Sequence, residues 1–255
     1  MKTLKKLLCL TLLATLASAS QAAIVRISEG AFTAAAGLIT FSEFPVNSVN
    51  PTYAPTDYGG GAGAPTVTFD GYFKGQSLAA ICPFPGAAGT GCVVGNPSGP
   101  TLALDPDSPQ TFITTDSANP TSPVLTGTPR FNGAIAILFS TDQAGVGLDG
   151  GFFDAAGGTA ITAFARDGSL IGQVVNLGTG IEFLGLVTSD GAAQIAGLLF
   201  SLVGSEPAGF GIDNLRFGLA GQVVVPGEVP EPTSLALLAL GIAGLAGVTR
   251  RRIAA

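Results

Sequence analysis

The sequence predicts an all-β sandwich, and three observations lead there. Strand-like runs recur between residues 131 and 218, with turn signals about every eight to twelve residues. Glycine, 37 of 255 residues, interrupts every candidate helix in that stretch. The chain is 47% hydrophobic and only 11% charged, so it has ample material for a buried core.

The elements follow in chain order. Residues 24–222 are expected to form the body, with 45–130 rich in loops. Thirteen of the seventeen prolines fall between Pro45 and Pro129. Proline has no N–H for a strand ladder, so this stretch is read as long loops with short strands at 66–69 and 71–73. Next, Ile135, Ile137 and Phe139 alternate with Ala134, Ala136 and Leu138. A strand over 145–153 follows. Runs at 160–165 and 170–177 flank Asp167 and Gly168, a pair suited to a type I′ hairpin turn. Strands at 182–187, 196–202 and 209–217 complete the set. In the last, Phe210 and Ile212 share one phase while Leu215 and Phe217 share the other. That slip at Asp213 and Asn214 predicts a β-bulge.

Composition narrows function. There is no histidine and no tryptophan. A Ser-His-Asp or Cys-His nucleophile pair and any imidazole zinc site are therefore excluded, and three cysteines are too few for an all-cysteine zinc site. A net charge of −6 without a basic patch argues against nucleic acid as a partner. Lys2, Lys5, Lys6, Arg250, Arg251 and Arg252 hold six of the eleven basic residues, so the stretch between them sets five basic residues against seventeen acids.

The two ends read as addresses. Residues 1–23 form a signal peptide: Lys2, Lys5 and Lys6, then an apolar run over 7–16, then small residues that fit a cut after Ala19, Ala22 or Ala23. Near the other end, residues 223–233 are a linker containing Pro230-Glu231-Pro232. Residues 234–249 are expected to form a short C-terminal transmembrane helix of about 23 Å, and 250–255 a cytoplasmic basic tail with Arg250, Arg251 and Arg252. The positive-inside rule keeps those arginines cytoplasmic. This order of Pro-Glu-Pro, apolar helix and arginine cluster resembles the PEP-CTERM sorting signal. The resemblance implies recognition by an exosortase at Pro230, Glu231 and Pro232, transient inner-membrane anchoring, removal of the helix, and delivery to the cell surface or beyond.

Three stretches of the body resemble galactose-binding-type jelly-roll modules. They are residues 39–44 (ITFSEF), 163–172 (AFARDGSLIG) and 209–217 (GFGIDNLRF). The fold implied is a jelly-roll-like β-sandwich with a Pro/Gly-rich loop insertion. Such modules hold an ion where first and last strands meet, so Glu43 and Asp213 are candidates for a structural calcium site. No cofactor is otherwise required. Asp105 and Asp107 make a poorer calcium pair, because Pro106 stiffens their loop.

Cys82 and Cys92 are the two cysteines left after signal removal, and in an exported chain they are expected to form a disulfide. Tyr53, Tyr58 and Tyr72, with Asp57, Asp70 and Lys74 nearby in sequence, are the candidate sugar-stacking residues. Gly145, Gly147 and Gly150 match G-x-G-x-x-G, but a strand follows rather than a helix, so no dinucleotide site is expected. Asp149 and Asp154 are too far out of phase to work as a hydrolytic pair. The expectation is a non-enzymatic exported protein of the cell surface or exopolysaccharide matrix. A carbohydrate-binding module is the alternative, and a polysaccharide hydrolase ranks behind it.

Overall fold

A computed structural model describes residues 23–84, 86–87, 91–207 and 210–227. The signal peptide over 1–22, the Pro-Glu-Pro motif, the apolar helix over 234–249 and the terminal arginines lie outside the described residues. Among the described residues, no helix is long and apolar enough to cross a membrane.

The strands are β1 (Ile24–Arg26), β2 (Gly37–Ile39), β3 (Thr52–Tyr53), β4 (Val67–Asp70), β5 (Ser77–Leu78), β6 (Val93–Val94), β7 (Thr111–Asp116), β8 (Asn119–Gly127), β9 (Ile135–Gln143), β10 (Gly145–Phe153), β11 (Thr159–Phe164), β12 (Leu170–Val175), β13 (Gly180–Thr188), β14 (Ile195–Leu202) and β15 (Gly211–Gly218). One sheet has the order β1-β13-β10-β15-β8-β7, with β2 also paired to β15. The other has the order β12-β11-β14-β9-β4-β3. Without the edge strands, eight consecutive strands remain. The set β13-β10-β15-β8 faces β12-β11-β14-β9, and every neighbour is antiparallel. That order is the double Greek key of a jelly roll.

The core between the sheets follows from the period of two. Ile135, Ile137 and Phe139 of β9 meet Val146, Leu148 and Phe153 of β10 and Ile212, Leu215 and Phe217 of β15 in one buried cluster. The second sheet is also covered from outside. Ala134, Ala136, Phe164, Ala196 and Leu199 pack under Phe73 and Leu102, which belong to the Pro/Gly-rich segment. Burial on both faces explains why β11 and β14 are buried at every residue.

Several expectations are corrected. The Pro/Gly-rich segment is not an insertion within the roll; it leads into it, adding β3, β4 and β7 at the sheet margins and a separate β5–β6 pair, roofing the second sheet, and ending in β8, the first of the eight strands. Its last part is no loop, because β7 and β8 form a hairpin of six and nine residues, with β8 inside the first sheet. The missing proline donors show instead as a sparse ladder: β8 and β15 register at Leu125 and Ile212, while β7 pairs β8 from Thr111 to Asp116.

The β11–β12 turn is not type I′. Of the Asp167-Gly168 pair, only Gly168 has a positive φ, +83°. Its N–H donates to Ala165 O at 2.9 Å, and Ala165 N–H donates to Ser169 O at 2.9 Å. This is a three-residue loop with glycine in the left-handed position. Asp167 accepts from the Ser169 N–H and hydroxyl, which holds it in the tighter right-handed turn.

The body also runs past residue 222. Val223 and Val225 are buried beside Ile27 and Val187, and the Val224 N–H donates to Ala31 O at 2.9 Å.

Candidate functional site

The outer face of the first sheet carries a cleft of about 430 Å³, within the range of ligand pockets. Its floor comes from β8, β10 and β15, one wall from the loop after β2, and the rim from the start of β13 and the end of β7. Asp149 and Asp213 are direct cross-strand partners in β10 and β15. Strand alternation sends Leu148 and Ile212 into the core and turns these two aspartates outward.

Amides hold both acids. Asn214 Nδ2 donates to Asp149 Oδ2 at 2.9 Å. Asn119 Nδ2 donates to Asp213 Oδ2 at 2.8 Å, and the Asn214 N–H donates to Asp213 Oδ1 at 2.7 Å. Ser122 lines the cleft as well, its hydroxyl donating to Thr40 O at 3.4 Å. Burial pushes the Asp213 carboxyl above the usual range, and the neighbouring charge of Asp149 adds to it, against the pull of these donors. Burial likewise raises Asp149; Glu29 adds to the rise, while Asn214 and Arg216 oppose it.

Two β-bulges flank the cleft. In β15 the pairing passes from Arg216 opposite Gly147 to Asp213 opposite Asp149, so β15 carries an extra residue, and Asn214 has φ +48°. This is the bulge expected from the phase slip. The second is in β10, where Gly150 faces Glu182 and Phe153 faces Gly180. The extra residue lets Phe153 return to the core while Phe152 stays 51% exposed. Gly151 suits that bend: its φ is +147°, and an added Cβ would lie 2.7 Å from Gly180 O. The Phe152 ring lies 3.9 Å from where a Gly180 Cβ would stand, next to Ile181, which lines the cleft and is also 51% exposed.

The sequence-derived site residues fare unevenly. Asp213 lines the cleft, whereas Glu43 does not; its Oε1 accepts from the Thr40 N–H and hydroxyl, each at 2.9 Å. The acid facing Asp213 is thus Asp149, and among the described residues no three acids or cysteines form a metal-binding group. Asp105 accepts from the Asp107 N–H in a local turn.

The tyrosines do not form a sugar platform. Tyr53 is fully buried, in ring contact with Phe41, Phe44 and Phe69, so it is a core residue. Tyr58 donates to Pro65 O and packs edge-on against Phe217, where it borders a separate cavity of about 350 Å³ lined mainly by small residues. Tyr72 packs with the roof of the second sheet. The G-x-G-x-x-G stretch lies within β10, as a strand. Asp154 donates its N–H to buried Glu206, away from the cleft lining. Cys82 and Cys92 are joined by a disulfide, with Cα atoms 5.5 Å apart.

Sequence reasoning missed Asp116, Asn119 and Ile181 in the cleft lining and exposed Phe152 opposite Ile181, and it weighed Asp149 only against Asp154. One signal was available, since Phe152 and Phe153 are adjacent in a strand and a regular strand cannot bury both.

The strand order and the cleft define a jelly-roll sandwich with a polar site on one sheet. Comparison with known proteins adds the tail. Residues 228–252 match the PEP-CTERM protein-sorting motif, and the chain carries that signal. This marks it as an exported protein and implies recognition by an exosortase. No curated protein matches the chain. Among solved structures, it is similar to CBM29_1, a family 29 carbohydrate-binding module from Piromyces equi. The identity is 6%, the TM-score 0.26, and the match covers 59% of this chain and 89% of that one.

Proposed function

We propose that this is a non-enzymatic protein that an exosortase processes and delivers to the cell surface or exopolysaccharide matrix. The observation that carries it is the sorting motif at residues 228–252. The body supports the reading. Among the described residues the last buried contacts, Val223 and Val225, precede the motif, so a cut within 228–252 leaves them in place. The test is the intact mass of the exported protein in an exosortase-bearing host. The expected mass lacks Arg250, Arg251 and Arg252, and Pro230→Ala with Glu231→Ala leaves them in place. A surface protein that retains all three arginines in the unsubstituted chain would overturn the proposal.

The cleft favours a second reading, in which the delivered body binds carbohydrate. Acceptors from Asp149 and Asp213 and donors from Asn119 and Asn214 converge beside exposed Ile181, with exposed Phe152 opposite it on the next strand. Sugars present that combination in reverse: hydroxyls that donate and accept around an apolar ring face.

A further inference from the structure

We propose that the cleft takes a neutral pyranose, stacked on Phe152 and Ile181, with its adjacent hydroxyls read by Asp149 and Asp213. This rests on the carbohydrate-binding reading and names its substrate class and stacking face.

The apolar side comes from the bulge in β10. Phe153, Leu148 and Val146 all belong to the core cluster. Without an extra residue, Phe152 would be locked into the alternation that feeds that core. With it, Phe152 stands half in solvent, opposite Ile181 in the register and next in the chain to Gly151, both of which line the cleft. Phe152 and Ile181 are each 51% exposed, and Ile181 shares the cleft lining with the fixed carboxylates; a sugar ring has an apolar face that covers such a pair.

The polar side sets the charge of the ligand. Asp116, Asp149 and Asp213 all line the cleft. Arg216, the cation acting on Asp149, is paired with Glu29. A uronate or sulfated sugar would bring its charge against these acids, with no lysine or arginine among the described lining residues to meet it. A neutral sugar donates its hydroxyls instead. A carboxylate offers about four acceptor sites, more than Asn214 fills on Asp149. The amides fix both acids before the ligand arrives, so little side-chain order is lost on binding.

The test is titration calorimetry on the exported protein with galactomannan, barley β-glucan and xylan, and with polygalacturonate with and without calcium. Binding of at least one neutral polymer is expected, with Phe152→Ala and Ile181→Ala each weakening it on the order of tenfold. Both substitutions are at exposed positions, so folding is retained and checked by thermal melting. Tyr72→Ala is expected to leave affinity unchanged. If a neutral polymer binds but Phe152→Ala is silent, or Tyr72→Ala abolishes binding, the stacking face is wrong while the carbohydrate reading stands. Binding of polygalacturonate alone, dependent on calcium, overturns the neutral ligand. No binding to any polymer overturns the carbohydrate reading itself.

Discussion

Cutting the chain after residue 222 should destabilise the body, whereas cutting after 227 should not. Val223 and Val225 are 5% and 6% exposed, packed on Ile27 and Val187. Burying a valine side chain contributes about 1.5–3 kcal/mol. A compact unfolded chain already hides part of that surface, which trims the pair to about 2–4 kcal/mol. The Val224 N–H bond to Ala31 O contributes about 0.5–1.5 kcal/mol more. The loss is therefore about 3–5 kcal/mol, a large share of the roughly 5–15 kcal/mol that holds a typical domain together. The assay is urea unfolding of residues 23–222 beside 23–227. Midpoints that coincide within about 1 kcal/mol would refute the reasoning. The outcome bears on processing, because an exosortase cut upstream of Val225 would then damage its own product.

Three further outcomes are expected. Replacing Cys82 and Cys92 with serine should cost about 2.5–3 kcal/mol, from the entropy of a loop with a sequence separation of ten, and melting under oxidising conditions checks it. Asp213 has a raised carboxyl pKa in the folded state, so folded protein holds its proton longer than unfolded chain does. Stability should therefore fall as pH rises through the ordinary 3.8 toward the raised value, then level off. Asp213→Asn should flatten that fall, and identical pH profiles for the two proteins would sink the idea. Glu206 is fully buried and accepts from the Asp154 N–H at 3.0 Å and the Ala155 N–H at 3.3 Å. Glu206→Ala should cost about 2–4 kcal/mol in a urea titration, because it strands those donors.

The eight-strand roll was largely legible because its strands are marked by local pattern. β10 spans 145–153 as read, and the bulge at Asp213 shows in sequence as a phase change. The β7–β8 hairpin was not legible. Proline tells which donors are missing but not that the neighbouring strand does without them. The roof over β11 and β14 was hidden for another reason. Phe73 and Leu102 lie far from Phe164 and Ala196 in sequence, and no period links them. The cleft draws on residues from Thr40 to Asn214, so no local motif could carry it. The tyrosines misled because a ring in a loop-rich stretch looks exposed, whereas Tyr53 sits among Phe41, Phe44 and Phe69.

The two bulges address one geometric conflict. In a regular strand, every residue facing out has neighbours facing in, and a one-residue slip exchanges the faces. Here β10 must bury Val146, Leu148 and Phe153, and β15 must bury Ile212, Leu215 and Phe217. Neither set fits a strict period of two: Leu148 to Phe153 is an odd step, and so is Ile212 to Leu215. Each strand absorbs the odd step with one extra residue, at Gly151–Phe152 and at Asp213–Asn214. The core therefore keeps its full set of apolar side chains, and the extra residues project from the outer face of the same sheet. Packing fixes where these bulges sit, between Leu148 and Phe153 and between Ile212 and Leu215. Gly151, Asp213 and Asn214 all line the cleft, where the β15 bulge turns Asn214 onto Asp149. The core demand that sets the two bulges therefore also shapes the floor of the cleft.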